Sequence, residues 1–126
     1  MFSLIIEILS KFVDIINENE RISIQEKEKT SKILYEISEI ILDTAVKLSR
    51  DEYPHNNCVV LERLSTNLHF NLLDYIDERE NDRLYDLLKD ASSIEKLYAY
   101  RHNKDMINEL MKISGEFRFA SILLLS

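Results

Sequence analysis

The stretch Phe2 to Ile16, FSLIIEILSKFVDII, decides the fold. Its polar residues, Ser3, Glu7, Ser10, Lys11 and Asp14, fall on one narrow stripe when wound into an α-helix. Every other position is large and apolar. A surface helix is ordinarily apolar over roughly 100° of its circumference, and this one is apolar over well more than half. The stretch therefore predicts a helix covered on several sides, by its own chain, by a second copy or by another partner.

Outward from it, Asn17-Glu18-Asn19-Glu20 reads as a polar turn, and Ser23 followed by Glu26 as a capping box opening a second helix. That helix is expected to run to about Arg50, with Ile33, Leu34, Ile37, Ile40, Ile41, Ala45 and Leu48 on its buried face. Gln25 to Lys32 contains no apolar residue, which predicts a charged start overhanging the bundle. Glu26 with Lys29, and Glu28 with Lys32, can pair there for about 0.3 kcal/mol each. Asp51-Glu52-Tyr53-Pro54 marks the next turn, with Pro54 in the first turn of a third helix where its missing N–H costs little. Cys58, Leu61, Leu64, Leu68, Leu72 and Tyr75 or Ile76 make that helix's stripe. Glu78 to Asp82 reads as a turn, and Leu84 to Tyr98 as a fourth helix. His102 to Asp105 is a break, and a last helix carries Met106, Ile107, Leu110, Met111, Ile113, Phe117, Ala120 and Leu123 or Leu124.

Gly115, the one glycine, sits inside that last pattern at a cost of roughly 1 kcal/mol against alanine. A close helix crossing is the first explanation and a kink the second. The closing run Phe117 to Leu125 is apolar on nearly every side, so it too calls for wide cover. These readings give an all-α, single-domain chain over residues 1–126. It is a four- or five-helix bundle, roughly up-and-down, with the N- and C-terminal helices packed centrally and a symmetric dimer covering what the monomer leaves open.

Composition sets the outer limits. A chain of 126 residues, 45% hydrophobic and 31% charged, is large enough for one core and too apolar to be disordered. One Gly and one Pro leave the helices long. A net charge of -7 speaks against DNA or RNA binding by the whole surface. The lone Cys58 forbids an internal disulfide and fits a cytoplasmic location. Glu7, Lys11 and Asp14 interrupt what would otherwise serve as a signal peptide core or a membrane span.

Catalytic chemistry finds little support. His55 and Cys58 could face one zinc, but two further ligands would have to come from elsewhere, and no metal or cofactor is expected. In size and class the chain resembles helical nucleotide pyrophosphohydrolases, and Glu36 with Glu39 supplies the first half of their Glu-x-x-Glu…Glu-x-x-Asp signature. The second half is missing: Glu62 is followed three residues on by Ser65. Arg63-Leu64-Ser65-Thr66-Asn67-Leu68-His69 resembles the Arg…His spacing of HEPN ribonucleases, with Leu64 standing where that family carries a polar residue. The resemblance implies catalysis across a dimer, with His69 as general acid or base and Arg63 holding phosphate.

The main expectation is a non-catalytic protein–protein interaction module, an adaptor or homodimer. Its candidate binding residues are Tyr98, Tyr100 and Arg101, an aromatic pair running into basic groups, together with the terminal apolar residues Phe2, Ile5, Phe119 and Leu124. Two alternatives stand beside it. One is the HEPN-like ribonuclease. The other is an acidic inhibitor of a nucleic-acid-processing or defence enzyme, built on the Asp- and Glu-rich run Asp74 to Asp90.

Overall fold

The computed structural model describes residues 3–73, 77–92 and 94–125. The chain is all-α, with no strand among the described residues. The helices are α1 (Ser3–Glu18), α2 (Ile24–Ser49), α3 (His55–Leu72), α4 (Glu78–Ala91), α5 (Ile94–Ala99) and α6 (Lys104–Leu125). Phe2, Asp74, Tyr75 and Ile76 lie outside the described residues.

Local chemistry sets the boundaries. Ser23 caps α2, its hydroxyl accepting from the Glu26 N–H at 3.1 Å. At the far end of α2, Asp51 takes a left-handed φ of 62°. The N–H of Glu52 donates back to the Lys47 carbonyl at 2.8 Å, satisfying one of the helix's last acceptors. Pro54 stands one residue before α3 rather than within its first turn, and supplies no side-chain cap.

Two expectations about the middle of the chain are corrected. Glu78 to Asp82 is helical, not a turn, because Asp77 starts α4. Its carboxylate accepts from the Arg79 N–H at 2.8 Å, and its carbonyl from the Asn81 N–H at 2.9 Å. Acidic side chains in that first turn also suit the positive end of the helix dipole. The single fourth helix read over Leu84 to Tyr98 is divided into α4 and α5. Ser92 turns its hydroxyl onto the Lys89 carbonyl at 2.7 Å, a local bond that competes with helix continuation.

Helix directions follow from the contacts. Ser31 lies against Ser121 and Ser38 against Ser114, so α2 and α6 are antiparallel. Asn57 meets Thr44, while Asn67 and Phe70 lie near Lys32 and Ile33, so α3 returns along α2. The Asn81 amide on the His69 carbonyl and Tyr85 beside Thr66 set α4 antiparallel to α3. α1 runs with α6, from Ile5 near Leu110 and Ile113 to Asn17, whose amide donates to the Leu123 carbonyl at 3.2 Å.

All six helices reach one point. Ile5, Ile41, Leu61, Leu88, Leu97 and Leu110 surround a void of about 10 Å³, at the lower limit for a single water and lined almost wholly by apolar side chains. Ile8, Leu9, Val13 and Ile16 of α1 join the same core.

α2 makes its widest contact with α6. Small side chains allow it: Ser31, Ser38 and Ala45 are spaced seven apart on α2, and Ser114 and Ser121 seven apart on α6, all buried. Ser31 and Thr30 therefore belong to the core, and the overhang expected of α2 ends before them. Gly115 is exposed, and a Cβ built on it meets nothing within 4 Å. The close crossing expected at the glycine is made instead by the serines.

Candidate functional site

The outward side of α6 leaves several large apolar side chains open. Met111, Gly115, Phe119 and Ile122 recur at spacings of four, four and three, and so share one helical face. Phe119 is 57% exposed and Ile122 55%, with Leu123 and Leu125 also open on the last turn. Asn17 ties the end of α1 to Leu123, which brings the exposed Ile15 toward the same end of the bundle. α6 faces the core with Ile107, Leu110, Ile113, Phe117 and Leu124, so its apolar residues occupy both sides. Of the terminal residues picked from the sequence, Ile5 and Leu124 are 2% and 3% exposed inside the chain's own core, and Phe119 points outward.

Tyr98, Tyr100 and Arg101 sit at the end of α5. Arg101 lies over the Tyr98 ring, 4.3 Å from guanidinium carbon to centroid, and its Nε is 3.3 Å from Asp51 Oδ1. The Tyr53 ring meets Tyr98 edge-on at 4.8 Å. His102 Nε2 stands 3.8 Å from the same Asp51 oxygen. Arg101 is thus engaged in clipping the α5–α6 connection onto the α2–α3 loop, and Tyr53 keeps an exposed face beside it. Tyr100 is half-buried and closes the turn, its N–H on the Leu97 carbonyl at 3.0 Å.

Arg63 and His69 lie roughly 120° apart around α3, as six residues of helix dictate. Arg63 is exposed and lines a shallow surface hollow with Val59, Glu62, Thr66 and Asn67. His69 turns toward α4, its ring 4.9 Å from Tyr85 and its Nε2 3.6 Å from Asp82 Oδ1. The two side chains do not meet within one chain.

Cys58 faces the core, and burial pushes its thiol up to about 11. His55 is exposed beside Tyr53, so the pair read as possible zinc ligands does not converge. Among the described residues no three His, Cys, Asp or Glu side chains gather. Along α4 the exposed Asp77, Glu78, Asp82 and Asp86 alternate with Arg79, Arg83 and Lys89.

Two features were missed in the sequence. One is the junction at Asn57, which is buried and bridges α3 to α2. Its amide donates to Asp43 Oδ2 at 2.8 Å and to the Thr44 hydroxyl at 3.1 Å, and its carbonyl accepts from Lys47 Nζ at 2.8 Å. These bonds, Asn57 foremost, hold the Asp43 carboxyl below its ordinary range. The signal was present, since Asn57 stands four before Leu61 on the buried stripe.

The other is a cleft of about 410 Å³ at the opposite end of the α2–α3 pair, lined by Lys29, Lys32, Ile33, Glu36, Asn67, Phe70 and Asn71. The ion pairs seen among the described residues are made by Lys47, His69, Arg101 and His102.

No helix among the described residues is long and apolar enough to cross a membrane. The chain matches no family model, no curated protein and no solved structure.

Proposed function

We propose that the protein is a non-catalytic helical interaction module that forms a homodimer through the outward face of α6 and serves as an adaptor for a further protein partner. The observation that carries this reading is the open apolar face Met111–Gly115–Phe119–Ile122, continued by Leu123 and Leu125. Burying apolar surface stabilises association by roughly 25 cal/mol per Å², and large aromatic and aliphatic side chains make effective interface anchors. Gly115 in the middle of the face admits a second helix backbone at short range, which accounts for a glycine that has no neighbour in the monomer.

The opposed directions of α2 with α6, α2 with α3 and α3 with α4 support an up-and-down bundle as its frame. A single buried thiol suits a reducing, cytoplasmic setting.

The test is a concentration series of amide spectra. Self-association through α6 moves the resonances of Met111, Gly115, Phe119 and Ile122 as concentration rises and leaves the α2–α3 surface still. Concentration-independent spectra would reject the reading.

A further inference from the structure

We propose that the cleft between the first half of α2 and the last half of α3 is a docking site for an acidic peptide segment carrying one large apolar side chain. This rests on the interaction-module reading, whose adaptor partner it specifies, but uses a surface separate from the α6 face.

Hydrogen bonds tie α2 to α3 at the end away from the cleft. There Asn57 binds Asp43, Thr44 and Lys47. At the other end the helices leave about 410 Å³ between them, within the range of ligand-binding clefts, about 300–1,000 Å³. Lys29 and Lys32 project from α2, and Asn67, Phe70 and Asn71 from α3, each set spaced to share one helical face.

The lining is basic on balance, with Lys29 and Lys32 against the single carboxylate of Glu36. Lys29 and Lys32 are exposed ammonium groups that enter none of the ion pairs among the described residues. The Asn71 Nδ2 is shut off from water and has no acceptor. A buried donor without a partner is costly, and a turn of the Asn71 amide toward the cleft it lines would let an incoming acceptor relieve that cost. Two cations and an unmet donor call for carboxylates. Beside them the Phe70 ring is 63% exposed and gives an apolar side chain a surface to cover.

The protein as a whole carries -7, so this basic rim stands out against its own surface and favours an acidic visitor. A nucleic-acid strand fits less well. It carries charge at every nucleotide and would meet Glu36 inside the cleft and an acidic surface beyond it. A peptide can place carboxylates on the lysines and backbone N–H groups on Glu36.

The experiment titrates the whole protein with a short capped peptide alternating glutamate and leucine, followed by amide and side-chain amide spectra. The same peptide with glutamine for glutamate and a short oligouridine serve as the other two probes. The proposal expects shifts at Lys29, Lys32, Asn67, Phe70 and at the Asn71 side-chain amide. It expects about tenfold weaker binding for the glutamine peptide, and a similar loss in K29E/K32E and in F70A. All three residues are exposed, so the variants keep the fold, and an unchanged melting curve verifies this.

The acidic peptide should bind equally to the Phe119→Asp variant, which carries the defect in the α6 face. A native chain that stays monomeric, or a Phe119→Asp variant that still dimerises, with peptide binding intact therefore rejects only the α6 reading. Three results would overturn the docking site: no cleft shifts at millimolar acidic peptide, equal affinity for the glutamine peptide, or oligouridine occupying the cleft in place of the peptide.

Discussion

Ser31 and Ser121 exchange hydrogen bonds across the α2–α6 contact. The Ser31 hydroxyl donates to the Ser121 carbonyl at 2.8 Å, and the Ser121 hydroxyl to the Ser31 carbonyl at 2.9 Å. Two helical turns further along, Ser114 donates to the Ser38 carbonyl at 2.6 Å. Helix carbonyls are already engaged within their own helices, and their second lone pairs accept these bonds. Hydroxyls that short require the two backbones to lie close, and each buried polar group is satisfied without a longer side chain.

Enlarging a residue at that contact forces the helices apart. Ser121→Leu is expected to destabilise the fold by about 1–3 kcal/mol through overpacking, whereas Ser121→Ala costs about 1 kcal/mol for the lost hydrogen bonding. Urea unfolding of the two variants checks the order. A Leu variant as stable as the Ala variant would contradict the close contact.

Gly115 offers the opposite case. It is helical, exposed and clear of neighbours, so Gly115→Ala should stabilise the monomer by about 1 kcal/mol through helix propensity alone. Measured at low concentration, a fall in melting temperature would show that the position is crowded.

Asp43 gives a signed dependence on pH. Its carboxyl is held below the ordinary 3.8 in the folded chain, chiefly by the Asn57 amide and also by Lys47. Its stabilising effect is therefore complete above that ordinary value and is lost as pH falls through the lower folded value. The urea midpoint of the native protein should drop more on acidification than that of Asp43→Asn, and the two should draw together at the acid end. Because the Asp43 side chain is more than half exposed, the difference is small.

Cys58 should be inert in the folded state. A buried thiol held at about 11 carries almost no thiolate at neutral pH. Ellman's reagent should react only as fast as the chain opens, and at once in denaturant. Rapid labelling under native conditions would place Cys58 outside the core.

Much of the fold was legible in local patterns. Ser23 and Glu26 marked the start of α2, and the stripe through Leu61, Leu68 and Leu72 marked the buried face of α3, because caps and periodicity act within a few residues. Pairing between helices is non-local, so the matched serines of α2 and α6 had no sign in either segment alone, and the burden of close contact fell mistakenly on Gly115. The charged run Glu78 to Asp82 concealed a helix start because its density of polar residues reads as a turn, while the cap that opens the helix, Asp77, stands just before it. Of the candidate residues, Phe119 and Leu124 are five apart on one helix, one facing out and one in. That distinction depends on which face α2 covers.

The most direct test of the central claim is the mass in solution by light scattering on a size-exclusion column, over a concentration series. The account predicts twice 14.9 kDa for the native chain, and a single chain's mass for Phe119→Asp and Ile122→Glu with helicity unchanged. A native protein that stays at 14.9 kDa at the highest concentration, or variants that dimerise as it does, would contradict it.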